Sequence, residues 1–139
     1  MPSKGAPVAN IVAIPDADQT PEQLAGLSEG IAPESQFARR LAESGCRVVV
    51  PVLVDRGIDP QALLSHREFV YRSAFELGRH LIGYEIQKVL AAIDWMVDQG
   101  PNPDVKIGVI GWGEGGMLAL YAAAFSGLAI RAFVRTVVQ

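Results

Sequence analysis

Cysteine, histidine and aromatic residues are scarce in this sequence of 139 residues, which has one Cys, two His and 7% Phe, Trp and Tyr. The lone Cys46 excludes an internal disulfide, and with no His or second Cys nearby it has no metal-ligand spacing. It reads as a small buried residue at the start of a strand. Positive charge is also thin: 12 Lys plus Arg against 15 Asp plus Glu give a formal net charge of −3. The electrostatic footprint of a nucleic-acid binder is therefore missing, and no basic run reads as a membrane patch. No apolar run approaches the roughly 20 residues needed to span a bilayer. Met1 to Pro7 is short and polar, and the apolar run after it soon meets Pro15, Asp16 and Asp18, so no signal peptide is read. The default expectation is a cytoplasmic chain, unless it is cut from an exported parent. Half the residues are apolar and 19% charged, which suits one compact domain over residues 1–139 and excludes low complexity.

Apolar periodicity orders the chain. Val8 to Ile14 reads as a buried strand ended by Pro15. Thr20-Pro21-Glu22-Gln23 is a helix-start signature, with a hydroxyl to cap, Pro at the first helical position and a Gln placed to close a capping box. Pro33 starts a clearer helix with Phe37, Ala38, Leu41 and Ala42 on one face, and Gly45 ends it. Cys46 to Val54 is nearly continuous in apolar residues, as in a strand covered on both faces, which favours a parallel sheet. Asp59-Pro60 is placed to cap a short helix. A polar stretch from Ser65 through Ser73 leads to the longest helix, Leu77 to Asp98, whose inward stripe reads Ile82, Ile86, Val89, Leu90, Ile93 and Val97. Gly100, Pro101 and Pro103 stop it. Val105 to Ile110 reads as a strand, followed by a helix to about Ser126 capped by Gly127, and by a last strand from Ile130 to Val138 with no helix on that edge. Strand and helix alternate throughout, so the expected fold class is α/β: a three-layer sandwich around a mainly parallel sheet.

Six residues, Gly111-Trp112-Gly113-Glu114-Gly115-Gly116, join the strand ending at Ile110 to the helix starting at Met117. Two devices share that layout. In the nucleophile elbow, G-x-S-x-G, a serine is lifted to the sheet edge on a strained turn whose flanking glycines remove clashing side chains. Here Gly113 occupies the serine position, between Gly111 and Gly115. In the dinucleotide fingerprint, G-x-G-x-x-G, Gly111, Gly113 and Gly116 permit the turn, the approach of a pyrophosphate and close helix packing. That reading wants an acidic residue about 20 positions on, where this chain offers Arg135, suited to a ribose phosphate as in an NADP-binding domain.

Val8-Ala9-Asn10-Ile11-Val12-Ala13-Ile14-Pro15-Asp16-Ala17-Asp18, with Arg39-Arg40-Leu41-Ala42 before Gly45-Cys46-Arg47-Val48-Val49-Val50-Pro51, resembles the early strands and first helix of the α/β-hydrolase superfamily. Gly83-Tyr84-Glu85 to Ala92-Ile93-Asp94-Trp95-Met96, then Ile107-Gly108-Val109-Ile110-Gly111 to Gly115-Gly116-Met117-Leu118-Ala119-Leu120-Tyr121-Ala122-Ala123, resembles the helix, elbow strand and following helix of dienelactone hydrolases and acetyl xylan esterases. The resemblance covers nearly the whole chain and is most specific at the elbow. It implies a partial α/β-hydrolase fold and a carboxylic ester hydrolase parent that uses Ser, an acid and His in that order, with no metal or organic cofactor. Its oxyanion hole would fall to the backbone N–H of Glu114 and an N–H from the loop near Asp16. Against that pattern Gly113 replaces the nucleophile, and the chain ends before the strands that would carry the acid and the histidine. The expectation is an incomplete, catalytically inert domain, a pseudoenzyme. Its expected partners are a small ester or carbonyl ligand, or a further domain or second copy pairing with the final strand.

His66 and His80 precede the elbow, whereas the hydrolase order puts the catalytic His after it; both read as surface or helix-packing residues. Asp16, Asp18 and Glu22 admit a cation site after the first strand, but helix capping explains an acidic loop at least as well. Glu114 reads either as a favourable charge at a helix N-terminus or as a carboxylate in a ligand cleft. Trp112 either packs beneath the turn or lines the pocket.

Overall fold

The computed structural model describes residues 6–54, 61, 63–99, 106–127 and 131–135, the last stretch by its backbone. One sheet of four parallel strands has the order β2-β1-β3-β4. The strands are β1 (Asn10–Ile14), β2 (Arg47–Val49), β3 (Ile107–Trp112) and β4 (Arg131–Arg135), and the helices are α1 (Pro21–Leu24), α2 (Phe37–Glu43), α3 (His66–Glu76), α4 (Leu81–Asp98) and α5 (Glu114–Phe125). β1 lies inside the sheet and is buried at all five positions, as a strand with helices on both faces should be. Successive side chains part to opposite faces. Val12 and Ile14 join Val89, Ile93 and Met96 of α4 and Leu118, Ala119 and Ala122 of α5 in the larger core, while Ala13 meets Leu24 of α1 and Ala38 of α2 on the other side. This is the three-layer α/β sandwich expected from the alternation of elements.

The strand order sets which face each helix takes. From β1 the chain moves outward to β2, then returns across β1 to β3 and continues to β4. With right-handed crossovers, that reversal places α1 and α2 on one face and α4 and α5 on the other, and the two core clusters have that composition. Connections leave the C-terminal ends of β1 and β3 in opposite directions, so a crevice opens between those ends.

Several local expectations are met in detail. Thr20 caps α1: its hydroxyl accepts from the Gln23 N–H (3.2 Å), and the Gln23 side chain accepts from the Thr20 N–H (2.9 Å). Gly45 and Gly127 take φ of +88° and +63° where α2 and α5 end. Others are corrected. Pro33 opens a single 3-10 turn, Pro33–Ser35, before α2, and Ala42 lies exposed. Of the run from Cys46 to Val54 only Arg47–Val49 pairs with β1, and all three residues are half-buried because β2 is an edge strand. Cys46 just before it is half-buried too. The polar stretch from Ser65 is helical: the Ser65 hydroxyl accepts from the Glu68 N–H (3.1 Å) and starts α3. A chain reversal at Gly78 (φ +68°) then separates α3 from α4. The most buried line of α4 is Leu81, Glu85, Val89, Ile93 and Met96, with Ile82, Ile86 and Leu90 at its margin and Val97 exposed. α5 packs on both β3 and β4. Asp59-Pro60, Gly100-Pro101, Pro103, Val105, Ile130 and Thr136 to Val138 lie outside the described residues.

Two substitutions in α4 check this packing with opposite signs. Ile93→Ala, at a fully buried position, is expected to lower the urea-unfolding free energy by roughly 2–5 kcal/mol. Gly83→Ala adds a Cβ that meets nothing within 4 Å and should raise it by up to about 1 kcal/mol. Both are read from midpoints of urea titrations.

Candidate functional site

The crevice between β1 and β3 is bounded by the loop Pro15-Asp16-Ala17 and by the turn from β3 into α5. In register, Ile14 pairs with Gly111, so both loops leave the sheet at the same height. Gly113 forms the turn with φ 55° and ψ −122°, and its carbonyl accepts the Met117 N–H (3.2 Å) to begin the helix. That backbone region is nearly closed to residues with a Cβ.

Crowding around the turn accounts for two more glycines. A Cβ on Gly115 would lie 2.5 Å from the Pro15 carbonyl oxygen and 2.7 Å from that of Ile14. A Cβ on Gly111 would run into the backbone carbonyl of Gly115. The steric demand thus falls on the first, third and fifth residues of the hexamer, which is the elbow spacing G-x-(nucleophile)-x-G. Gly116 is buried within α5, and Arg135 of β4 pairs in register with Trp112; the Arg135 side chain lies outside what is described. Trp112 is half-buried.

Asp16 is the residue at the centre of the crevice. Its Oδ1 accepts two backbone N–H groups, from Ala17 at 2.7 Å and from Glu114 at 2.9 Å. The resemblance implied that the Glu114 amide and an amide of the loop near Asp16 would face a ligand; here both donate to the Asp16 carboxylate. The loop amide is that of Ala17, and Asp16 contributes a side-chain acceptor. Asp16 therefore caps α5, 98 residues away in sequence, whereas α1 is capped by Thr20. Asp18 and Glu22 are exposed, and among the described residues no group of three or more His, Cys, Asp or Glu is arranged to hold a metal ion.

Next to this carboxylate lies a three-helix charge bridge that the sequence pattern did not disclose. Arg67 of α3 donates from one guanidinium nitrogen to Glu85 of α4 (2.6 Å) and from another to Glu114 of α5 (2.5 Å). The Glu85 side chain is fully buried, that of Arg67 is 19% exposed and that of Glu114 is 26% exposed. The planar guanidinium fork suits two acceptors at once. Glu114 thus uses its backbone amide on Asp16 and its carboxylate on Arg67. It fills the helix N-terminal role, and its charge is committed to a neighbour. Glu85 falls one turn after Leu81 and one before Val89, in a line that should be apolar; that break in the stripe is the one signal in the sequence that could have disclosed the bridge.

The two histidines stand in α3 and at the start of α4. His66 is exposed at the first turn of α3. His80 is the N-cap of α4: its Nδ1 accepts from the Ile82 N–H (3.2 Å), and its ring meets Tyr71 edge-on at 5.8 Å. With Nδ1 used as an acceptor, a neutral ring carries its proton on Nε2. Both histidines have the packing and surface roles expected of them.

Removing the cation from the charge bridge should be costly, because Glu85 would keep its charge in a buried place. Arg67→Met is expected to destabilise the protein by about 3–5 kcal/mol. Adding Glu85→Met to that variant should recover a large part of the loss, giving strong non-additivity in a double-mutant cycle followed by chemical denaturation.

No family model and no curated protein matches the chain. Among solved structures it is similar to a protein from Bacteroides fragilis NCTC 9343 proposed to be an acetyl xylan esterase, with a TM-score of 0.66 and 23% sequence identity over 91% of this chain. The matched part is 37% of the length of that protein. At this level of identity the likeness speaks to the fold alone: parallel strands with helices, a partial α/β-hydrolase-like fold.

Proposed function

We propose that this chain is a non-hydrolytic α/β-hydrolase-like domain, in which the nucleophile elbow persists as a turn that carries no nucleophile. The reading rests on Gly113, which has φ 55° and ψ −122° at the strand-to-helix turn and no side chain. An elbow works by presenting a hydroxyl or thiol at that point, where a base can take its proton and an oxyanion hole can receive the developing charge. Without that side chain no acyl-enzyme can form at this position. The parent chemistry, inferred from the resemblance to dienelactone hydrolases and acetyl xylan esterases, is acyl transfer from a carboxylic ester. What this chain retains of it is binding geometry, one amide at the N-terminus of α5 and one in the loop after β1, both directed at a carboxylate oxygen.

The alternative, a dinucleotide held by Gly111, Gly113 and Gly116, requires a pyrophosphate at the start of α5. The Asp16 carboxylate already holds the Glu114 amide there, and a second anion beside it would be repelled. The crowding at Gly115 also favours the elbow spacing over the fingerprint spacing.

Incubation with p-nitrophenyl acetate should give no release above buffer, and a fluorophosphonate probe should add no mass to the intact protein. Turnover that follows the protein through purification, or stoichiometric labelling, would end the non-hydrolytic reading. NADPH titration followed by Trp fluorescence should show no saturable change; a saturable change would move the assignment to the dinucleotide alternative.

A further inference from the structure

We propose that α3 is a strap that undocks as a unit about Gly78, and that Arg67 is the latch that holds it against α4 and the start of α5. The proposal is independent of the elbow reading. Three observations carry it. First, α3 buries little: of its 11 residues only Ala74 is fully buried, while Phe69, Tyr71 and Phe75 are 61%, 43% and 70% exposed. A surface helix ordinarily docks by an apolar stripe, and this one turns its large apolar side chains to solvent. Second, an open cavity of about 340 Å³ lies between α3 and the beginning of α4, lined by Arg67 and Tyr71 on one side and by His80, Leu81 and Ile82 on the other. The dispersion contacts that would press the two helices together there are not made. Third, the strongest tie across this gap is ionic. The Arg67 guanidinium spans Glu85 of α4 and Glu114 of α5, and the Tyr71 ring adds an edge-on contact with His80.

The turn after α3 is built to move. Gly78 has φ +68°, and a Cβ there would meet nothing within 4 Å. Glycine visits left- and right-handed backbone regions about equally, and no neighbouring atom braces this one, so the turn can absorb the change of direction that undocking requires. α4 stays in place, because Val89, Ile93 and Met96 belong to the larger core. Undocking also opens Glu85 to water. Its charge is costly without Arg67 only while it is enclosed, so the strap can leave without stranding a buried ion. Because the latch ends on Glu114 at the start of α5, the position of α3 is tied to that flank of the crevice between β1 and β3.

The experiment is amide hydrogen exchange of the intact chain, read residue by residue by NMR in wild type, Glu114→Gln, Arg67→Lys and Phe75→Ala. In wild type the amides from Val70 to Glu76 should exchange with one shared protection factor, well below that of Val89 and Ile93 in α4 and of Leu118 and Ala122 in α5. Glu114→Gln removes one arm of the latch and leaves Glu85 paired; it should speed exchange in α3 roughly tenfold, the worth of one charged hydrogen bond, and leave the four core amides at wild-type rates. Arg67→Lys keeps the charge and loses the fork, so it should act in the same direction on the same amides. Phe75→Ala should not speed exchange in α3, because that ring stands in solvent. Protection of α3 equal to that of α4 in wild type would overturn the proposal, as would acceleration of α3 and the core amides by the same factor in Glu114→Gln and Arg67→Lys. So would unchanged exchange of α3 in both latch variants, or faster exchange in Phe75→Ala, which would assign the docking to apolar contact. Ester turnover and cofactor binding are not read out, so this result stands apart from the outcome for the non-hydrolytic reading.

Discussion

The close approach of α5 to the end of β1 is the constraint on which the site depends. Gly115 sits against the carbonyls of Ile14 and Pro15, and Gly111 against the carbonyl of Gly115, so the helix begins within van der Waals distance of the neighbouring strand. Any Cβ at either position would push the first turn of α5 away from β1. The Glu114 amide would then no longer reach a side chain on the β1 loop. The helix packs as it does because Leu118, Ala119 and Ala122 are buried against the sheet, and small residues at its start let it come in low. Packing energy and site geometry share one origin here. The core draws α5 down, and its descent aims the N-terminal amides at the crevice between β1 and β3.

Charge in and beside that crevice is divided into two compartments. Asp16 accepts from two backbone amides, and Glu85 and Glu114 share one guanidinium. The division matters because a buried carboxylate without compensation costs several kcal/mol, and Glu85 is fully enclosed. Arg67 reaches it from α3, a helix with only Ala74 fully buried and with Phe69 and Phe75 exposed. α3 is thus fastened over α4 and α5 more by this ion pair than by an apolar face.

What could be read from residues alone was mostly local. The capping box at Thr20, the left-handed glycines after α2 and α5, the continuous apolar run of β1 and the strand–turn–helix at Gly111 to Gly116 all depend on neighbours within a few positions, and all were legible. The helix over His66–Glu76 reads from sequence as a polar stretch because it buries so little apolar surface, and the reading starts the long helix at Leu77, ahead of Gly78, because an isolated glycine does not announce a break. β2 was overextended because an apolar run at a sheet edge looks like one at the centre. The role of Asp16 was legible only in kind: an acidic loop reads as a capping loop, but the helix it caps begins 98 residues later. No pattern of spacing carries that pairing. It follows from strand order, which puts β1 beside β3.

Glycine at the third position of the turn has a physical explanation. At φ 55° and ψ −122° a residue with a Cβ is strained, by about 1–3 kcal/mol. An active enzyme tolerates that strain because the turn lifts the reacting atom above the sheet. Glycine at 113 carries no such strain, while the shape of the turn is enforced from both sides by Gly111, Gly115 and the carbonyls of β1. Without a carboxylate beside Gly113, two amide donors and a helix dipole would have no acceptor other than water. A carboxylate one residue past Pro15 is at the right height to fill it. Relief of backbone strain at Gly113 and satisfaction of the amides by Asp16 reinforce each other, since the carboxylate fits only while position 113 lacks a side chain.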